Sequence, residues 1–244
     1  MDKEFKKQIK EDELKTAVTH AFDWSKLHSA EVRITALVAV ILALVLGAVG
    51  YVQGQKRREA ELGFAEAVET FRASVKTPGD TEASAGKSFA TAQEKYTQAA
   101  AAFDGLARRF PSRPEGLRAR YLAALSRVEI GQYPEAEKAL SEIAADRRAS
   151  ALEPALARLA LADLYRRSGQ TDKAVTAFRE LAADTASALP RDAALMSLAG
   201  TLEDAKRLAE ARASYQRLSE EFPQSVYAAE ARRRADRLAP AVES

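Results

Sequence analysis

The side chains that carry most enzymatic chemistry are nearly missing from this sequence where a folded domain could use them. Its 244 residues include two histidines, His20 and His28, and no cysteine. Both histidines precede a long apolar stretch, so everything beyond it lacks imidazole and thiol groups. That removes the arrangements in which a neighbouring base activates a serine or cysteine nucleophile, together with the common zinc ligand sets. Paired carboxylates remain at Glu203 and Asp204 and at Glu220 and Glu221. They stand in segments of helical composition, where acidic residues belong on the exposed face. "GAVGYVQG", from Gly47 to Gly54, has no strand before it and falls in and just after the apolar stretch, so it is not a phosphate-binding loop. The 37 basic and 35 acidic residues are interspersed and give no electrostatic footprint for nucleic acid. Even the basic run "ARRRADRLAP" from Ala231 reads as the outer side of a terminal helix, with Tyr227, Ala231, Ala235 and Leu238 along its inner side. The expectation is a chain that is not an enzyme and takes no cofactor, metal or small-molecule substrate. It works through surfaces.

The apolar stretch reads "ITALVAVILALVLGAVGYVQGQKRR" from Ile34 to Arg58. Between Arg33 and Lys56 there is no charge, and the 19 residues from Ile34 to Val52 are almost wholly apolar. A spanning helix needs about 20 such residues, whereas the apolar part of a cleaved leader has about 7 to 15 and starts near the N-terminus. "AVG" at Ala48 to Gly50 imitates a cleavage site, but the stretch is too long and begins too late for a leader. We expect residues 34–53 to be a retained transmembrane helix in the lipid bilayer. Gly47, Gly50 and Gly54 lie near one face of it and form a candidate contact for another membrane helix. Residues 1–33 form a charge-balanced head that is either disordered or a short amphipathic helix, with Leu14, Ala17, Val18 and Ala21 on one face. Lys15, Lys26 and Arg33 before the span stand against Lys56, Arg57, Arg58 and Arg72 after it, a bias that leans slightly toward a cytoplasmic C-terminal part.

Beyond the anchor the composition turns to alanine, leucine, glutamate and arginine without strand-like alternation. Prolines and glycines divide it into helices near 57–76, 87–110, 114–130, 134–146, 152–168, 171–184, 191–205, 208–221 and 225–239. Every second helix carries the same stripe. Ala99, Ala136, Ala174 and Ala211 are 37, 38 and 37 residues apart, and four residues on come Phe103, Leu140, Phe178 and Tyr215. Leu106, Ile143, Leu181 and Leu218 complete one face, with the small residue where helices must approach closely. "FP" at Phe110 and Phe222 ends the first and fourth of these helices alike, Pro111 and Pro223 stopping them.

On these residues the chain resembles a tetratricopeptide repeat protein, whose unit is an antiparallel helix pair with Gly at its turn and Ala in its second helix. "LADLY" from Leu161, Gly169 and "KAVTAF" from Lys173 match best; Gly131, Tyr133 and Ala136 match in the preceding pair, and the last pair departs with Lys206 at the turn. The resemblance implies an all-α fold, a transmembrane helix followed by a solenoid of helix pairs. Its domains are the head 1–33, the helix 34–53, a membrane-proximal helix and loop 54–86, and repeats with a capping helix over 87–244. The order of parts is similar to that of the ancillary subunit of the bacterial SecYEG translocon, a single-pass inner-membrane protein with a periplasmic tetratricopeptide-like domain. That implies a cytoplasmic N-terminus, a periplasmic C-terminal domain, and the SecYEG translocon and periplasmic chaperones as partners. The "FP" endings also resemble repeats of envelope proteins that organise cell-wall synthesis or outer-membrane assembly.

Carried onto this sequence, the concave face of such an array implies a partner surface of Arg118, Tyr121, Leu125 and Val128, then Leu156, Leu159, Asp163 and Arg166, then Ala193, Met196, Gly200 and Glu203. The set mixes apolar and oppositely charged groups and lacks the repeated lysine and asparagine clamp that grips a terminal carboxylate in some family members. A shallow surface for varied, partly unfolded chains suits it better.

Overall fold

The computed structural model describes residues 29–76, 86–146 and 151–239. The amphipathic head proposal, His20 and His28 lie outside the described residues. Two compact units divide at Glu59 and Ala60.

The first unit contributes most of α1, a 44-residue helix over Ser29–Arg72 that runs through the apolar stretch without a break. Its large side chains from Ile34 to Val52 are exposed on every side, Leu44 at 69% and Val49 at 51%. An apolar surface all round a helix suits either the interior of a larger assembly or hydrocarbon. At 1.5 Å per residue, about 20 residues cover the ~30 Å of a bilayer core, so this helix is long and apolar enough to span a membrane. A Cβ added at Gly47, Gly50 or Gly54 would meet open space, leaving that face free for close approach.

The second unit begins with the last turns of α1 and continues through α2 (Ala92–Arg109), α3 (Pro114–Glu129), α4 (Tyr133–Ala144), α5 (Leu152–Arg167), α6 (Thr171–Ala183), α7 (Arg191–Asp204), α8 (Leu208–Glu221) and α9 (Ala228–Arg237). From α2 onward each helix packs on its chain neighbours, and the end of α1 reaches α2 through Phe64 and Phe71 against Phe103. From α2 onward short turns make the neighbours antiparallel, giving an all-α array in which α3/α4, α5/α6 and α7/α8 are pairs, the end of α1 packs with α2, and α9 follows α8.

Three turns are built alike. Gly131, Gly169 and Lys206 have φ of 74°, 75° and 60°. The next N–H reaches back five residues, from Gln132 to Arg127, Gln170 to Tyr165 and Arg207 to Leu202, at 2.9, 2.8 and 2.9 Å. This is the Schellman ending, in which a left-handed residue lets the chain satisfy carbonyls left over by the helix. Five residues beyond the left-handed residue stands the repeat alanine, Ala136, Ala174 or Ala211, whose own N–H donates to the turn at 3.0 to 3.1 Å. The turn thus sets the phase of the second helix. Those three alanines and Ala99 are fully buried, and so are Phe103, Leu140 and Tyr215, with Phe178 at 2%. Leu106 is only half-buried, packed so closely on Gly63 of α1 that a Cβ there would lie 2.8 Å from its Cδ2.

The first pair lacks this turn. Between α1 and α2 the chain forms two short parallel strands, β1 (Ser74–Val75) and β2 (Ser88–Phe89), and α2 starts at Ala92 instead of near residue 87. Thr91 caps α2 by accepting from the Glu94 N–H at 3.0 Å, while the Glu94 carboxylate accepts from the Ala90 N–H at 3.3 Å. Strands of two residues are too short to leave an alternating pattern in sequence. The "FP" endings do match each other. Phe110 and Phe222 adopt φ, ψ of −129°, 54° and −130°, 60°, and their N–H groups bond Leu106 and Leu218. After Phe110 the chain folds back so tightly that a Cβ at Gly116 would lie 1.8 Å from the Phe110 carbonyl oxygen. Only glycine is accommodated there.

Candidate protein-interaction surface

The twelve residues implied for a partner surface lie on α3, α5 and α7, the first helices of the second, third and fourth pairs. On α3 and α5 the inward side is mostly small, with Ala119, Ala123 and Ala124 and then Ala155, Ala157, Ala160 and Ala162, whereas α7 also buries Leu195, Leu198 and Leu202. Pairs are held at fixed relative angles by contacts across their junctions. Arg167 forks onto Glu129, Nη1 donating at 2.6 Å and Nη2 at 3.1 Å, and the Tyr165 hydroxyl donates to Glu137 at 2.9 Å.

Arg118, Tyr121 and Leu156 come together. With Leu117, Ile143 and Leu152 they line an apolar cavity of about 130 Å³, rimmed by Arg118, Arg120, Asp146 and Glu153. Tyr121 is half-buried, and its burial pushes the phenol pKa above the ordinary value. Leu152 is 47% exposed at the mouth. Arg120 pairs with Glu142 at 3.5 Å, and Asp146 and Glu153 are engaged in interactions of their own. Arg118 is exposed and has no ion pair or hydrogen bond among the described residues.

The remaining positions separate into other roles. Val128, 4% exposed, belongs to the core between the second and third pairs and offers nothing to a partner. Leu125 and Leu159 pack half-buried against core clusters, as does Met196. Asp163 and Arg166 satisfy each other, Arg166 donating through Nη2 and Nε at 2.6 and 3.1 Å. Ala193 and Gly200 are half-buried on α7. Glu203 is tied inward: it accepts from the Tyr215 hydroxyl at 2.8 Å and from Arg234 of the cap at 3.3 Å. Arg234 also donates to the Tyr215 oxygen at 3.1 Å. Burial and the Glu203 carboxylate push the Tyr215 phenol up to about 12. A helix-face argument has no means of seeing that α9 returns to meet Glu203.

Leu117, Ile143 and Leu152 were missed as lining residues. Ile143 is in the repeat stripe and Leu152 opens α5, but only the spacing of two pairs brings them beside Tyr121. The carboxylate pairs show no convergence. Glu221 pairs with Arg217 and Arg191 at 2.6 and 3.3 Å, the Arg217 hydrogen bond holding its pKa below the ordinary range, and Glu220 and Asp204 are exposed. Among the described residues no cluster of His, Asp or Glu could hold a metal ion.

An array of helix pairs with glycine turns and buried alanine crossings defines a helical-repeat protein, a class that binds other proteins. Residues 90–151, 121–188 and 159–226 match the family model described as Tetratricopeptide repeat. Together these matches span more than half of the chain, and the chain belongs to the tetratricopeptide repeat family. Two solved structures of putative kinesin light chain nearly identical TPR-like repeats from Podosopora anserina, one of them a single-residue variant, are similar to it at 17% identity and a TM-score of 0.48. Each likeness covers 60% of this chain and 79% of that one. No curated protein matches the sequence.

Proposed function

We propose that this chain is a single-pass inner-membrane protein whose tetratricopeptide domain assists secretion or periplasmic folding at the SecYEG translocon. In this reading residues 1–33 are a cytoplasmic head, 34–53 cross the bilayer, 54–86 form a membrane-proximal helix and loop, and 87–244 form the periplasmic repeat domain with its cap. Translocon subunits and periplasmic chaperones are its partners, and it catalyses no reaction. The observation that carries the reading is the combination of one uncovered apolar segment, Ile34 to Val52, and a repeat array built on the end of the same helix. The order of parts matches that of the translocon's ancillary subunit.

Photo-crosslinking residues placed at Tyr121 and Met196 in membranes containing the full chain test the proposal. It expects adducts with SecY, SecE or SecG subunits, with periplasmic chaperones, or with chains in transit. Adducts confined to wall synthases or outer-membrane assembly proteins would instead support a scaffold at those machines, the reading favoured by the matching Phe110 and Phe222 endings. A reporter fused after Ser244 checks the orientation. Activity of a cytoplasm-dependent reporter there would overturn the periplasmic placement.

A further inference from the structure

The cavity between the second and third pairs has a definite size, lining and charge. Its lining is Leu117, Tyr121, Ile143, Leu152 and Leu156, and its volume is about 130 Å³. Pockets for cofactors and drug-sized molecules run from about 300 Å³ upward, so this one has room for a single large side chain and little else. Protein recognition commonly places such an anchor in a desolvated pocket and surrounds it with weaker polar contacts. The polar contact on offer is specific in sign. Of the four charged residues on the rim, Arg120, Asp146 and Glu153 already have interactions, and Arg118 has none among the described residues.

We propose that this cavity seats one aromatic or large aliphatic side chain of an extended peptide segment, with a carboxylate on the adjacent residue pairing with Arg118. The inference rests on the chain's role as a protein-interaction module, and it names the chemistry of the segment bound. An internal stretch suffices, since the recognising groups are a side-chain pocket and one guanidinium, with no requirement for a chain terminus. An unfolded chain carries such acidic-apolar pairs at many points, each bound weakly and released readily.

The probe is the peptide GSDFSG, acetylated and amidated to remove terminal charges, with fluorescein on an added lysine. Its binding to the detergent-solubilised full chain is read by fluorescence polarisation. Replacing the peptide Phe by Ala is expected to weaken binding about tenfold, the loss of a central anchor. Arg118→Glu is expected to weaken the Asp peptide about fivefold, since an exposed ion pair contributes modestly and its reversal adds repulsion. The same variant should bind a peptide with Lys in place of Asp better than the parent chain does. Leu152→Trp, at an exposed position that leaves the fold alone, should block the mouth and abolish binding.

Equal affinity for the Phe and Ala peptides, no effect of Arg118→Glu, or no binding by the parent chain overturns the proposal. The two readings fail separately. Absent peptide binding beside intact translocon crosslinks removes only the pocket assignment. Peptide binding without those crosslinks removes the translocon and keeps the pocket.

Discussion

Lys206 holds a backbone conformation that two glycines hold elsewhere in the array, so replacing it with glycine should stabilise the protein. Its φ of 60° compares with 74° and 75° at Gly131 and Gly169, and all three residues sit in the same hydrogen-bonded turn. A side chain in the left-handed region costs roughly 1–2 kcal/mol through its Cβ. Against that, glycine loses more backbone freedom on folding, about 0.5–1 kcal/mol. The Lys206 side chain is exposed and makes no hydrogen bond or ion pair among the described residues, so its removal breaks no contact. The expected net gain is about 0.5–1 kcal/mol, or roughly 1–4 °C in Tm for a domain of this size. Thermal melts of the full chain in detergent, followed by circular dichroism, measure it. Lys206→Ala keeps a Cβ in the strained region and should leave Tm nearly unchanged, while Gly169→Lys should lower it by about as much as Lys206→Gly raises it. If Lys206→Gly melted at or below the parent temperature while Gly169→Lys melted unchanged, the equivalence of the turns would be refuted.

Three further outcomes are expected. Ala174, fully buried where two helices cross, should tolerate Leu poorly, with a loss of about 1–3 kcal/mol from overpacking; Thr176→Leu on the exposed side of α6 is the control, and equal melting temperatures for the two would assign the faces wrongly. Gly116→Ala should cost more than either Gly105→Ala or the Lys206 substitutions, because its Cβ meets the Phe110 backbone whereas one at Gly105 meets nothing; a urea midpoint equal to the parent's would contradict the close approach. The Tyr215 phenol is raised from 10.0 to about 12, so the folded state retains its proton longer than the unfolded chain. That stabilisation is complete below pH 10 and declines as pH rises through about 12; with solvent screening at the hydroxyl end counted, it amounts to at most about 2 kcal/mol. Tyr215→Phe should therefore lose this pH dependence, so that the parent falls in stability relative to the variant above pH 10; parallel stabilities across that range would count against the burial of the phenol.

Helix pairs were legible in the sequence because burial imposes a local period. Ala174, Phe178 and Leu181 had to share a face, and they do. The second-helix phase was readable for the same reason, since it depends on residues within one turn of each other. Between α1 and α2 that logic fails: the strand pairing of Ser74 with Ser88 joins residues with no periodic signature. The surface was legible only in part. Helix-face reasoning placed Arg118 and Tyr121 outward and near Leu156, but it also selected Val128, which lies under the junction of two pairs, and Glu203, which α9 ties down. Both misses are inter-helix effects, set by how far one pair is rotated on the next. A 37- to 38-residue spacing leaves that rotation undetermined, since the family unit is about 34 residues long.

The recurring turn also governs how this array could change length. Each left-handed residue fixes a hydrogen-bonded step and an alanine five residues on, so an insertion between turn and alanine would misalign an entire helix. The link between α6 and α7 carries no such ruler. From Asp184 to Pro190 the chain crosses between α6 and α7 in seven residues without repeating the turn's geometry. Lengthening is therefore free at that link and forbidden at the turns, which makes the whole pair the quantum of growth. Duplicating a whole pair at such a link would add a complete unit with its core, its turn and both docking faces.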